Sequence, residues 1–163
     1  MQIGILSDTH GYFHPGLVSY FENVDLILHA GDIGNVDILI GLEALAPVRA
    51  VFGNVDGFDI RKSWPEFDSF ETAGVRFSMT HIAGHPGRWQ RQVDRRLNID
   101  PPDVFICGHS HILQIERVPS LSNMLFVNPG AAGREGFHKE KTCIRLTIEK
   151  KKATQADVIH LDG

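Results

Sequence analysis

Ile3-Gly4-Ile5-Leu6-Ser7-Asp8-Thr9-His10-Gly11 decides the fold: a small apolar run, then an abrupt change to Ser, Asp, Thr and His, closed by glycine. Such a run reads as a buried strand emptying into a polar loop. The pattern returns twice. Asp25-Leu26-Ile27-Leu28-His29-Ala30 exits at Gly31-Asp32, and Val48 to Phe52 exits at Gly53-Asn54-Val55-Asp56-Gly57. Two helical segments lie between these strands. Pro15 to Phe21 opens with a proline suited to a first turn. Asp37 to Ala46 carries Ile38, Leu39, Leu42 and Leu45 at helical spacing before Pro47 stops it. Strand, helix, strand, helix, strand within about fifty residues predicts βαβ units and a largely parallel sheet.

The second half changes style. Ser69 to Thr72 and Val75 to Thr80 flank Ala73-Gly74, a two-residue hairpin turn. Arg88 to Leu97 predicts a helix, with Arg88, Arg91 and Arg95 on one face that is solvated or guides an anionic substrate, and Val104 to Cys107 an apolar strand. Ile112 to Val118, Met124 to Val127, Thr142 to Glu149 and Thr154 to Leu161 predict further strands, with Lys150-Lys151-Lys152 turning between the last two. The change predicts two sheets packed together in a single α/β domain covering residues 1–163.

Composition narrows the function classes. At 163 residues the chain needs no disulfide or metal merely to fold, and 42% hydrophobic content excludes a disordered chain. A net charge of −4 speaks against a non-specific nucleic-acid binder. No apolar run approaches the roughly 18 residues of a membrane span. Met1-Gln2-Ile3-Gly4 enters a strand without a basic leader, so a cytoplasmic protein is expected. Cys107 and Cys143 form no motif; Cys107 reads as a small core residue. The unusual number is nine histidines.

Polar residues recur where strands run out. Asp8 and His10 follow the first strand, Asp32 the second, and Asn54 and Asp56 the third. His81 follows Val75 to Thr80, while His109 and His111 follow Val104 to Cys107. In open α/β sheets, ligands bind in the crevice beyond the carboxyl ends of the strands. Five strand exits would therefore aim carboxylates, imidazoles and an amide at one place. That mixture of oxygen and imidazole donors without thiolate suits Zn, Mn, Fe or Ni. The donors are too many for one ion. Two ions about 3.5–4 Å apart would clamp an in-line displacement at phosphorus, and Asp32 is the natural bridging carboxylate. Each piece alone is ordinary: Gly53-Asn54 is common turn chemistry, and a lone His-x-His is more often structural.

Together, Asp8-Thr9-His10, Gly31-Asp32, Gly53-Asn54, His81 and Gly108-His109-Ser110-His111 resemble the five signature blocks of the calcineurin-like metallophosphoesterase superfamily, and its small bacterial and archaeal phosphodiesterase branch in particular. Asn128-Pro129-Gly130-Ala131 is similar to that branch's Asn-Pro-Gly loop, and the resemblance runs from residue 3 to 161. It implies a four-layer α/β/β/α sandwich of two mixed sheets, with a dinuclear centre at its edge. One ion would take Asp8, His10, Asp32 and His111; the other would take Asp32, Asn54, His81 and His109. The implied activity is metal-dependent phosphohydrolysis of a small phosphate ester, a diester before a monoester, by a metal-bridging hydroxide.

One departure from the family matters. Larger members carry a histidine after the Gly-Asn pair, where it contacts phosphate and helps protonate the leaving group; this chain has Val55. General-acid help is worth about 10²–10⁴-fold, so its absence predicts slow turnover or good leaving groups. His85 is the candidate replacement near the phosphoryl oxygens, against a solvated loop histidine as the alternative. Asp56 is expected to orient a ligand, His29 to pack in the core or behind the ligands, and Arg134 to lie on the surface or reach phosphate. His14, His138 and His160 are assigned no role. A rival reading is a weakly active or inactive scaffold of the same fold, as in retromer-type subunits, that binds protein partners. A nuclease would want a basic track, which is not visible. Oligomeric state stays open, a homodimer included.

Overall fold

In the computed structural model, which describes residues 1–162, the first half runs β1 (Gln2–Leu6), α1 (Gly16–Phe21), β2 (Leu26–His29), α2 (Val36–Glu43), β3 (Val48–Ala50) and α3 (Phe58–Arg61). The second half begins with β4 (Phe67–Thr72), β5 (Val75–Thr80), β6 (Gly84–His85), β7 (Arg88–Trp89) and α4 (Arg91–Ile99). It ends with β8 (Val104–Ile106), β9 (Leu113–Val118), β10 (Met124–Pro129), β11 (Thr142–Glu149) and β12 (Lys152–His160). One five-stranded sheet has the order β12-β11-β1-β2-β3, the other β4-β5-β8-β10-β9. Both are mixed. β1, β2 and β3 pair in parallel, as do β5, β8 and β10, while β11, β12, β4 and β9 pair antiparallel at the flanks.

Period-two alternation sorts the side chains into three apolar layers. Ile3 and Ile5 of β1, Leu26 and Leu28 of β2, Phe77 and Met79 of β5, and Val104 and Ile106 of β8 meet between the sheets. The intervening residues point outward. Leu6 and Ile27 pack under α1 and α2 with Leu17, Phe21, Leu39 and Leu42. Phe105 and Phe126 pack under α4 with Val93 and Leu97, and Trp89 stands edge-on to both rings. The result is the expected α/β/β/α order. Gly4 is required by close approach: a Cβ there would sit 2.9 Å from the Phe21 ring.

Local chemistry follows the sequence with three differences. Ala73 and Gly74 both take positive φ, as a two-residue hairpin turn needs, and Lys150 and Lys151 do the same before β12. That strand begins at Lys152, two residues earlier than expected, because Lys152 and Ala153 pair with Glu149 and Ile148. Arg88-Trp89 is not the first turn of a helix. Pro86-Gly87 reverses the chain, Arg88-Trp89 pairs with Gly84-His85, and the helix starts after Gln90, whose side chain accepts from the Gln92 and Val93 amides. The short α3 had no apolar period to announce it. Among the described residues, no helix is long and apolar enough to cross a membrane.

Candidate metal centre

The carboxyl ends of β1, β2, β3, β5 and β8 open on the same edge, and the loops that follow bring seven of the eight candidate residues together. Asp8, His10 and His111 offer ligand atoms within 4.8 Å of one another, as do Asp32, His81 and His109. The two groups adjoin. Asp8 Oδ1 lies 3.1 Å from His111 Nε2 and 3.8 Å from His10 Nε2 and from His81 Nε2. Asp32 Oδ2 lies 3.1 Å from His81 Nε2 and 3.7 Å from His10 Nε2. Asn54 Oδ1 meets His109 Nδ1 at 3.0 Å. His85 is the exception: exposed on β6, its Nδ1 donates to Pro86 O, and among the described residues it makes no hydrogen bond or ion pair to the other seven.

Asp8, Asp32 and His81 each have one side-chain atom held by the protein and one left over. Asp8 Oδ2 accepts from Ser7 Oγ at 2.7 Å and from the His109 amide at 3.1 Å. Asp32 Oδ1 accepts from the Val55 amide at 3.0 Å, and its Oδ2 lies near His81 and His10. A carbonyl can only accept, so the 2.7 Å contact of His81 Nδ1 with Ala30 O places the proton on Nδ1 and leaves the Nε2 lone pair exposed to the centre. Asp8 Oδ1, His10 Nε2 and His81 Nε2 are buried without any hydrogen-bond partner. Orphaned buried polar atoms cost about 1–3 kcal/mol each and call for an explanation. Three of them converging from oxygen and imidazole donors fit divalent metal.

The backbone is bent to the same end. Asp8, His10, Asp32, His109 and His111 all have φ between 47° and 70°. This left-handed conformation costs a non-glycine residue on the order of 1 kcal/mol, and Asp and His tolerate it better than most. Neighbouring glycines let the loops touch: a Cβ on Gly53 would strike Asp32, and one on Gly108 would strike Ser7.

Electrostatics reflect the crowding. Burial pushes the Asp8 carboxyl up, but the His111 and His81 imidazoles and the Ser7 hydroxyl outweigh it and hold it below its ordinary value. Asp32 is likewise held low: burial opposes, and His81, the Val55 amide and His10 prevail. Burial lowers His81, but Asp32 and Asp8 raise it further, and Asp8 raises His111. His109 is lowered by burial and by His81.

Behind the ligands lies a set of ties. Asp56 joins neither metal group. Its carboxylate accepts from the amides of Gly53 (2.8 Å), Ile33 (3.1 Å) and Gly34 (2.8 Å), pinning the loops that carry Asn54 and Asp32 to each other. Arg61 donates to Asp56 O, Gly53 O and Asn54 O and stacks on Phe52. Asn128 donates to Gly108 O and Ser110 Oγ and accepts from Gly130, bracing the loop of His109 and His111. His29 is fully buried. It accepts from the Gly31 amide at Nδ1 and donates from Nε2 to Thr9 Oγ1, whose hydroxyl reaches Ile33 O. Arg134 stacks on Tyr12 at 3.8 Å. Cys107 and Cys143 are core residues whose thiols burial pushes up to about 12. Arg61 and His138 carried no sequence signal, because their partners lie on loops whose return path only the fold sets.

Residues 1–151 match the calcineurin-like phosphoesterase superfamily domain. A probable metallophosphoesterase of Methanothermobacter thermautotrophicus is 38% identical over 138 residues, covering 80% of this chain and 77% of the relative. A solved archaeal phosphodiesterase is 29% identical, with a TM-score of 0.75 and coverage of 98% of this chain and 99% of the other. Vps29 of Entamoeba histolytica, solved with zinc, shares the fold at 17% identity, with a TM-score of 0.71 over 99% of both chains.

Proposed function

Because this chain belongs to the calcineurin-like phosphoesterase superfamily, we propose that it is a metal-dependent hydrolase of small phosphate esters, acting on diesters in preference to monoesters. The observation that carries the reading is the convergence of three partnerless buried atoms: Asp8 Oδ1, His10 Nε2 and His81 Nε2. In this reading Asp8, His10, Asp32 and His111 hold one divalent ion, and Asp32, Asn54, His81 and His109 hold the other. Asp32 would be common to both ions, its Oδ1 also accepting from the Val55 amide. Bound ions of Mn, Zn, Fe or Ni would supply Lewis acidity toward the phosphoryl group and make water acidic enough to serve as nucleophile near neutral pH, for in-line displacement.

The chain's own groups do the rest. Ala30 O fixes the proton of His81 on Nδ1, so its other nitrogen faces the site. Asn54 carries an amide N–H₂ that can donate to a phosphoryl oxygen, a charge-assisted bond that strengthens as negative charge builds there. An open pocket of about 230 Å³ beside Asn54 and His81, lined also by Phe52, Arg61, Glu66, Thr80 and Ile82, offers room for a small ester group. Val55 cannot protonate a leaving alcohol, so esters with acidic leaving groups react fastest.

Metal-stripped protein titrated with Mn²⁺, Zn²⁺ and Ni²⁺ against activated aryl phosphodiesters and monoesters tests this. Turnover that needs metal and favours the diester is expected. Two ions bound per chain with no turnover would transfer the assignment to a partner-binding scaffold, the reading that Val55 favours.

A further inference from the structure

His138 lies 27 residues beyond His111, in the loop between β10 and β11. Its Nε2 is 2.9 Å from Gly133 O, and its Nδ1 is 3.1 Å from Nδ1 of His111. The first contact settles the second. A carbonyl cannot donate, so His138 carries its proton on Nε2. Its Nδ1 is then a bare acceptor, and the proton between the two rings belongs to His111 Nδ1. Neutral imidazole holds one proton, so with it on Nδ1 the His111 Nε2 lone pair is left 3.1 Å from Asp8 Oδ1, a contact between two acceptors that suits a cation and that, without one, only a second proton on the ring would relieve. The anchor is itself fixed: the Gly133 amide donates to Asp8 O at 3.1 Å. The path from Asp8 backbone through Gly133, His138 and His111 therefore closes on the Asp8 carboxylate. Gly136, with φ of 124°, makes the fit possible, because a Cβ there would strike the His111 ring.

We propose that His138 is a positioning residue that locks His111 in its Nδ1-protonated form and thereby tunes one ion of the pair, the one facing Asp8, His10 and His111. The inference rests on the two-ion reading above. His81 has a backbone carbonyl in the same office, so the two ions depend on different supports: one on Ala30 O, the other on a side chain.

Two measurements test it. Long-range proton–nitrogen correlation spectra of the metal-free protein at alkaline pH report which imidazole nitrogen is protonated. His111 is expected to read as Nδ1-protonated in the wild type and to shift toward Nε2 in His138→Phe. Calorimetric titration with Zn²⁺ or Mn²⁺ should show His138→Phe weakening one ion by about 10–100-fold while sparing the other, the usual cost of losing a partner behind a metal ligand. His138→Asn, whose Oδ1 can stand in for the Nδ1 acceptor, should restore that ion to within a few-fold. An unchanged His111 tautomer, two ions bound as tightly as in the wild type, or Asn failing as Phe does would each overturn the role. A wild type that binds fewer than two ions would sink the dinuclear reading instead, and the spectra would still decide His138.

Discussion

The two sheets make different contributions to the same edge. The sheet of β1, β2 and β3 supplies every oxygen donor, Asp8, Asp32 and Asn54, together with His10. The sheet of β5, β8 and β10 supplies only imidazoles, His81, His109 and His111. Their supports are crossed. The Asp8 carboxylate is held by the His109 amide from the opposite sheet, and His81 is held by Ala30 O from the opposite sheet. Neither half can present its ligands correctly until the other has docked, so the centre reports on the seam between the sheets as well as on its own chemistry.

The sharpest way to break the comparison is Asp32→Ala, which removes an oxygen that lies near His81 of one group and His10 of the other. Loss of both ions and a fall in kcat/KM of more than about a thousandfold are expected. Calorimetry and phosphodiester kinetics check it; retention of one tight ion would show that the halves bind independently.

His29 probes the oxygen-donor side through pH. Burial depresses its pKa from 6.5 to about 4, so between those values the unfolded chain takes up a proton that the folded chain refuses. Its contribution to stability is complete above pH 6.5 and is lost as pH falls toward 4, a span of roughly 3 kcal/mol. Urea unfolding of wild type and His29→Asn across that window should show a shallower decline in the variant.

Asn128→Ala tests the imidazole side. It removes the donors to Gly108 O and Ser110 Oγ and should weaken metal binding by about tenfold, with the ions of His109 and His111 both affected. The contrast with His138→Phe, which should touch one ion, is read in the same titration. The smallest effect is expected from His85→Ala: less than about threefold in kcat/KM, since its ring is exposed and tied to Pro86 O.

Strand exits were legible in the sequence because each buried apolar run stops abruptly at residues that cannot be buried without partners. That rule located Asp8, Asp32, Asn54, His81 and His109 and the parallel centre of each sheet. It failed at Arg88-Trp89, where arginines at helical spacing mimic a helix face. A Pro-Gly reversal and the packing of Trp89 on Phe105 and Phe126 made a hairpin arm there instead. It was also silent on His138 and Arg61, because a hydrogen bond between loops distant in sequence leaves no period behind. Which oxygen of Asp32 is tied down depends on where the Val55 amide falls, which is a matter of backbone path.

The left-handed backbone at Asp8, His10, Asp32, His109 and His111 has an evolutionary corollary. Positive φ favours glycine, Asn, Asp and His over most other residues whatever their chemical duty, and β-branched replacements are strained there. A descendant that gave up hydrolysis would thus remain under pressure to keep Asp, Asn, His or Gly at these five places simply to close its loops. In this fold the signature can outlive the activity, and turnover has to be measured on each branch of the lineage.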